Sequence, residues 1–362
     1  MRTHVAIIYN EPYPSRYGDV GEEKAVLGVL DAVEAVHRAL LQLDFDVIRI
    51  PLVPPLARAR RKLSSLHTDL VFNLFEGFCG YPETEALVPE ILSQKGILCT
   101  GCTGSMLRLA LDKANIKVIL KAAGIQTPDF QLLNPKILHT FRLGFPCIVK
   151  PRCEDASHGL SLESVVSDFA TLKKQAALVS NCYGGSALVE KFIDGREFNA
   201  TVLGNPECSV LPPSEIAYSL PSGMPRILTF AAKWEPDSLY FQGTKAVCPA
   251  DLEAEEQKRI TETARAAFKL LGGKGYARVD MRIDQEGRLN VIEVNPNPDI
   301  SLGSGAVRQA EAAGMNYTQF IEKIIRLALD GKSNENQYSP YESRRQTQHN
   351  ENTVHYSRIQ TL

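Results

Sequence analysis

Tyr276 to Pro298 reads YARVDMRIDQEGRLNVIEVNPNP, and the chain can be organised around it. The stretch opens with strict alternation. Ala277, Val279, Met281 and Ile283 point one way, and Tyr276, Arg278, Asp280 and Arg282 point the other. Asp284 to Gly287 is a turn signal, and Leu289 to Asn295 is a second alternating run. A symmetric turn pairs Ile283 with Arg288 and sets Arg278 opposite Glu293. Arg278, Asp280, Glu293 and Asn295 then share one face of an antiparallel hairpin. At an effective dielectric near 20, two carboxylates about 5 Å apart repel by roughly 3 kcal/mol, so something positive must offset them. Oxygen-only ligands with no His or Cys nearby select a hard cation that shares phosphate oxygens, Mg²⁺ or Mn²⁺. Read alone, the same face also fits a surface hairpin with solvated charges.

The rest of the chain narrows the choice. Its 362 residues allow two or three layered domains, and a net charge of −2 argues against a nucleic-acid or anionic-membrane partner. No apolar run reaches the roughly 18 residues of a membrane span, and the N-terminus lacks a signal-peptide layout, so a cytoplasmic location is expected. The eight cysteines have no framework and read as reduced, mostly buried small residues. Cys99 and Cys102 have redox or zinc spacing, but no second pair or His completes a site.

In order, His4 to Asn10 is a buried strand, Glu22 to about Leu43 a helix, and Asp46 to Ile50 a second strand, a βαβ opening with no dinucleotide fingerprint. Leu70 to Leu74 is a third strand, Thr84 to Lys95 a helix, and Gly96 to Thr100 a short strand. A helix from Ser105 carries Asp112 and Lys113 and continues to Ala123. Phe145 to Lys150 is an apolar strand delivering a lysine at its end, and Glu154 to Gly159 is a small-residue loop able to fold over an anion. After the strand Ala187 to Ile193, a second βαβ-like half runs to Leu302. The last helix spans about Tyr317 to Leu329, and the polar segment 332–362 reads as a disordered tail.

These pieces, in this order, resemble the ATP-grasp superfamily and most closely its D-alanine–D-alanine ligase family. The resemblance covers about residues 70 to 330. It rests on Cys99-Thr-Gly101, Leu111-Asp-Lys113, Ile148-Val-Lys-Pro151, Ala156-Ser-His-Gly159, Val189-Glu-Lys191, Gly195-Arg-Glu197, Ala232-Lys-Trp234, Cys248-Pro-Ala250, Arg278-Val-Asp280 and Glu293-Val-Asn295. It implies an α/β chain of ATP-grasp type. An N-terminal βαβ pre-ATP-grasp domain (1–103) is followed by two α+β subdomains (104–190 with a lid loop, 191–331 with the metal hairpin) that sandwich ATP.

The resemblance also implies roles. Lys113 and Lys150 bind the α- and β-phosphates, Ser157 and the backbone near Gly159 close as a lid, and Lys233 reaches the γ-phosphate. Glu190, Lys191 and Ile193 read the adenine, and Glu197 takes the ribose hydroxyls. Asp280, Glu293 and Asn295 hold two Mg²⁺ (or Mn²⁺) ions, and Arg278 stabilises the tetrahedral intermediate. Arg278, Ser157 and Lys233 are thus the implied catalytic set. The implied reaction joins two amino acids through an acyl phosphate, with D-alanyl-D-alanine, a peptidoglycan precursor, as the default product. The resemblance further implies a homodimer through the N-terminal half.

Departures fall on the amino-acid side. Ala156 replaces the first of two lid serines, Trp234 replaces a Tyr, and Asp299 replaces a Gly. Ser301 and Ser304 are candidates for a substrate carboxylate, with Asp299 beside them, and either Glu22 or Glu23 for an ammonium. A ligase for other amino acids or a short peptide, or a non-catalytic nucleotide-binding regulator, are the alternatives.

Overall fold

Two apolar registers in one strand explain the first sheet. β1 (His4–Asn10) sends Val5 and Ile7 to one face and Ala6 and Ile8 to the other, all fully buried. In the computed structural model, which describes residues 2–12, 22–78, 81–154, 157–205 and 207–335, β1 is followed by α1 (Glu22–Gln42), β2 (Asp46–Leu52), α2 (Leu56–Ser64), β3 (Leu70–Leu74), α3 (Leu87–Gln94) and β4 (Leu98–Cys99). The strands pair in parallel in the order β2-β1-β3-β4. Val33, Val36 and Leu40 of α1 cover one face, and Ala59, Leu63, Val88 and Leu92 of α2 and α3 cover the other. The sequence reading gave no helix at α2, whose exposed Arg58, Arg60, Arg61 and Lys62 leave only Ala59 and Leu63 to bury.

The helix expected from Ser105 to Ala123 is two helices, α4 (Gly104–Leu111) and α5 (Lys113–Ala122). Asp112 breaks it. Its backbone is extended (φ −89°, ψ 91°), and its carboxylate accepts the N–H groups of Ala114 and Asn115, capping α5. A second sheet follows from β5 (Phe130–Leu133), β6 (Cys147–Lys150), β7 (Val165–Val166) and, after α6 (Phe169–Tyr183), β8 (Ala187–Lys191). Its order is β5-β8-β6-β7, and all three pairings are antiparallel. β7 turns the chain back before α6 begins, so β8 returns antiparallel to β6.

The third sheet takes β9 (Glu197–Gly204), β10 (Cys208–Val210), β11 (Ser214–Tyr218), β12 (Thr244–Val247), β13 (Gly275–Ile283) and β14 (Leu289–Pro296). Between β11 and β12 lie the short helices α7 (Phe230–Trp234) and α8 (Leu239–Gln242), and α9 (Ala254–Leu270) precedes β13. The path β12-β11-β9-β13-β14 is antiparallel, with β10 on β9, so the βαβ-like half expected from the Ala187–Ile193 strand to Leu302 is corrected to an antiparallel sheet whose strands β13 and β14 meet in a hairpin. α9 packs Ile260, Ala264 and Phe268 on its apolar face, where Met106, Leu107, Ile116 and Leu120 of α4 and α5 join the same core.

α10 (Gly305–Ala312) leads to α11 (Tyr317–Glu335), whose Ile321, Ile324 and Ile325 return to the first sheet's core beside α1. α11 runs past the expected end at Leu329, and the rest of the expected tail, from 336 on, lies outside the described residues, as do Ala156 and the side chains of Glu22, Glu23 and Trp234. Among the described residues no helix is long and apolar enough to cross a membrane. Of the described cysteines only Cys102 and Cys147 are buried outright, fewer than expected. Cys99 and Cys102 are in no disulfide, and burial pushes both thiols up to about 12, which leaves neither a thiolate.

Candidate active site

The hairpin of β13 and β14 carries the expected polar face in a corrected register. Ile283 pairs with Leu289, not Arg288; Arg278 lies opposite Asn295 and Asp280 opposite Glu293. The shift is a bulge at Ile292, between the Met281–Val291 and Asp280–Glu293 pairs. The extra residue keeps Asn290 and Glu293 on one face although they are three apart. The adjacent apolar pair Val291-Ile292 interrupts the alternation and was the legible sign of it.

Along that face the charges are matched. Arg278 donates to both oxygens of Asp280 (2.7 and 2.8 Å), and Asn295 Nδ2 donates to Asp280 Oδ2 at 2.8 Å. Burial pushes the Asp280 carboxyl above its usual range, with Arg278 opposing it. Burial acts against Arg278 too, yet Asp280 beside it raises the guanidinium's pKa overall. Lys113 Nζ stands 2.7 Å from Glu293 Oε1 and also donates to the Glu154 carbonyl. Burial would raise Glu293, but the Lys113 and Lys150 ammoniums outweigh it and hold the carboxyl at about 2.

Lys150, at the end of β6, reaches Glu190 Oε1 at 2.9 Å. Lys117, one helical turn after Lys113, reaches the same oxygen at 3.2 Å and also donates to Thr127 Oγ1 (3.0 Å) and to the bulge carbonyl of Ile292 (3.1 Å). Glu190 is therefore committed to two lysines, which is a different surrounding from the adenine-reading role expected of it. Lys117 is 1% exposed, and burial followed by the Lys150 charge lowers its pKa to about 8. Sequence reasoning missed Lys117. Its i,i+4 spacing from Lys113 was the available signal.

Glu197 accepts a hydrogen bond from Tyr218 OH at 2.6 Å and another from Arg282, which also donates to the Ile193 carbonyl at 2.8 Å. Arg282 and Tyr218 were likewise missed. The Lys191 side chain is exposed, and its N–H donates to the Asp129 carbonyl. Ser157 has φ +67° and Gly159 φ +72°, so the loop after β6 is tightly turned. A Cβ on Gly159 would come within 2.9 Å of Pro151 and the Tyr183 ring. His158 stacks near Phe230 of α7, with ring centroids 5.7 Å apart, so the helix bearing Lys233 packs beside this loop.

Beyond the hairpin, both oxygens of Asp299 accept from Ser301, one from its N–H and one from its hydroxyl, each at 2.8 Å. Ser304 occupies the N-cap position of α10 without a side-chain cap, and its hydroxyl is buried with no partner among the described residues. The structure thus joins Lys113, Lys150, Glu190, Arg278, Asp280, Glu293 and Asn295 in one network. Glu197 and Ile193 adjoin each other through Arg282. Ser301 and Asp299 form a separate contact past the strand end.

A divalent metal fits this donor set. Asn295 turns its NH₂ to Asp280, which leaves Oδ1 for a cation, and every donor is an oxygen. Among the described residues no cluster of three or more His, Cys, Asp or Glu could hold a metal, so non-protein oxygens would complete the shell.

The chain is similar to known proteins in sequence and in fold. A family model described as "D-ala D-ala ligase C-terminus" matches residues 119–326. The protein y4sG of Sinorhizobium fredii is 35% identical over 262 residues, 72% of this chain and 75% of that protein. A D-alanine–D-alanine ligase of Carboxydothermus hydrogenoformans is 29% identical over 311 residues, 83% of this chain and 93% of the relative. The VanG D-Ala:D-Ser ligase of Enterococcus faecalis shares the fold, with TM-score 0.71 at 23% identity over 91% of this chain and 100% of that one. With 208 of its 362 residues inside the family model and the charge network in place, the chain belongs to the D-alanine–D-alanine ligase family of ATP-grasp ligases.

Proposed function

We propose that the protein uses ATP and Mg²⁺ to activate the carboxylate of one amino acid and join it to the amine of a second, D-alanine serving at both positions. The observation that carries this is the surplus of buried positive charge facing the hairpin: Lys117 and Lys150 share the single carboxylate of Glu190, while Lys113 sits on Glu293. Such a site is matched to a polyanion. Lys113 and Lys150 hold phosphate oxygens as point charges. Glu197, fixed by Arg282 and Tyr218, offers its remaining oxygen to the ribose, and the backbone near Lys191 and Ile193 borders the base.

Asp280, Glu293 and Asn295 would hold the metal, which supplies charge neutralisation between phosphates. An oxygen of the acyl substrate's carboxylate attacks the γ-phosphorus and ADP leaves. The amine of the second amino acid then attacks the acyl carbon, phosphate leaves with the C–O bond's electron pair, and the departing phosphate takes up the proton that the nitrogen gives up. Arg278 meets the negative charge that develops on the acyl oxygen. The loop from Ser157 to Gly159, with α7 and Lys233 packed beside it, excludes water that would otherwise hydrolyse the acyl phosphate.

A second reading, a ligase for other amino acids, is favoured by one observation: Asp299 is tied to Ser301, which removes that hydroxyl from substrate binding. Incubation with ATP, Mg²⁺ and a panel of D- and L-amino acids, following phosphate release and product mass, separates the two. Turnover with D-alanine alone supports the first. Turnover only with another acid supports the second, and tight ATP binding without turnover on any acid overturns both in favour of a regulator.

A further inference from the structure

Two ammonium groups meet on one buried carboxylate, and they are not held alike. Lys117 is 1% exposed, Glu190 1% and Lys150 6%. An ammonium carries three N–H donors. Lys117 spends two of them on the Thr127 hydroxyl (3.0 Å) and the Ile292 carbonyl (3.1 Å), and its nitrogen lies 3.2 Å from Glu190 Oε1. These partners come from the segment before β5, the bulge of β14 and the strand β8. The first two are also tied to each other, since Val291 donates its N–H to the Gln126 carbonyl at 2.8 Å. Lys117 is anchored on every side. For Lys150, the Glu190 oxygen at 2.9 Å is the one ion-pair partner among the described residues. The strand register explains that contact: Glu190 pairs with Ile148, and Lys150, two residues on, shares its face of the second sheet.

A phosphate that draws Lys150 towards it takes that lysine away from Glu190. With Lys117 in place, the carboxylate left behind is still paired, and what remains in the interior is a neutral couple. Without Lys117, the same movement would strand a buried carboxylate beside a polyanion. A charge stripped of both water and partner is among the costliest groups to bury, so Lys150 would stay where it is. The second lysine also loosens the first. Two like charges on one oxygen repel each other, and neither is held as tightly as it would be alone.

We propose that Lys117 is a positioning residue for nucleotide binding: by keeping Glu190 neutralised, it frees Lys150 to bind the phosphates. This rests on the ATP reading above. The two cations divide the task, Lys150 moving to the ligand and Lys117 staying on the carboxylate. Lys117 itself touches no phosphate, because its donors are already spent and its side chain is closed off on all sides.

The phosphate contribution to binding is read as the ratio of the adenosine Kd to the ATP Kd, measured by calorimetry with Mg²⁺ present throughout. Lys117→Met is expected to lower this ratio about 10-fold or more, because Lys150 is then locked on Glu190. Adding Glu190→Gln to Lys117→Met removes the carboxylate that locks it, and the ratio is expected to return to within about threefold of wild type. A role in packing alone would weaken adenosine and ATP together and would not be reversed by a second substitution. A ratio unmoved in Lys117→Met, or a loss that the double variant does not restore, overturns the proposal while leaving the ATP reading intact. A wild type that binds no ATP overturns the ATP reading and this proposal with it. If Lys117→Met fails to fold, crystals of the wild type with a non-hydrolysable ATP analogue decide the matter. Lys150 on a phosphate oxygen with Lys117 still paired to Glu190 supports the proposal; Lys150 unmoved, or Lys117 withdrawn from Glu190, overturns it.

Discussion

Lys117→Met probes the part of the site that is most buried and least visible in the sequence. Lys117 and Lys150 share one carboxylate, so at neutral pH the group of three carries one surplus positive charge in the interior. Burial first, and Lys150 next, draw the Lys117 pKa from 10.5 to about 8, with Glu190 opposing them. The folded protein therefore gives up this proton at lower pH than the unfolded chain does. Between those two values the unfolded chain binds more protons, and stability rises with pH. At 1.36 kcal/mol per unit, the gain is about 3 kcal/mol across the window. Urea unfolding of wild type and Lys117→Met at steps from pH 7 to 10.5 reads it directly. Cysteines and tyrosines titrate in both proteins and cancel in the difference. The wild-type advantage is expected to grow by about 3 kcal/mol over the window; parallel curves would refute the buried surplus charge.

Other outcomes follow from the same geometry. Glu293 is depressed from 4.5 to about 2, so its carboxylate stabilises the fold above the higher value and that contribution is lost as pH falls to the lower one. Glu293→Gln should lack this acid limb in unfolding titrations, and, if Glu293 holds the metal as proposed, its phosphate release should drop about 100-fold or more. Arg282→Met leaves Glu197 and the Ile193 carbonyl without their shared partner. It is expected to cost about 3–5 kcal/mol in unfolding and to weaken ATP binding, and Arg282→Lys should not restore either, because separate nitrogens of the planar guanidinium fork meet the two acceptors and a lysine has only one nitrogen to place. Gly159→Ala forces a side chain onto Tyr183 and Pro151 at positive φ. A loss of about 1 kcal/mol or more, with reduced turnover, is expected by thermal unfolding and phosphate assay.

Much of this was readable before any coordinates. Alternation put Arg278, Asp280, Glu293 and Asn295 on one face because side chains in a strand have a period of two, and a single bulge left that face intact while moving the pairing. The register was misread because a symmetric turn was assumed and the Val291-Ile292 interruption was passed over. Lys117 and Arg282 escaped notice because burial of a charge is a tertiary property. One helix turn or strand period says where a side chain points, not that a carboxylate from another sheet will be there to receive it. The antiparallel second sheet was hidden for a similar reason, since β7 is two residues long and reverses the chain without a sequence signature of its own. The α4–α5 break was more legible: an Asp just before a basic amphipathic segment is an N-cap signal.

The central claim is that an amino-acid carboxylate is phosphorylated on its way to a peptide bond. Oxygen-18 in the carboxylate of the substrate acid, D-alanine in the proposed reaction, follows the bond that breaks. The account predicts one oxygen-18 atom in each released phosphate, in step with dipeptide formed. Dipeptide accompanied by unlabelled phosphate would contradict it.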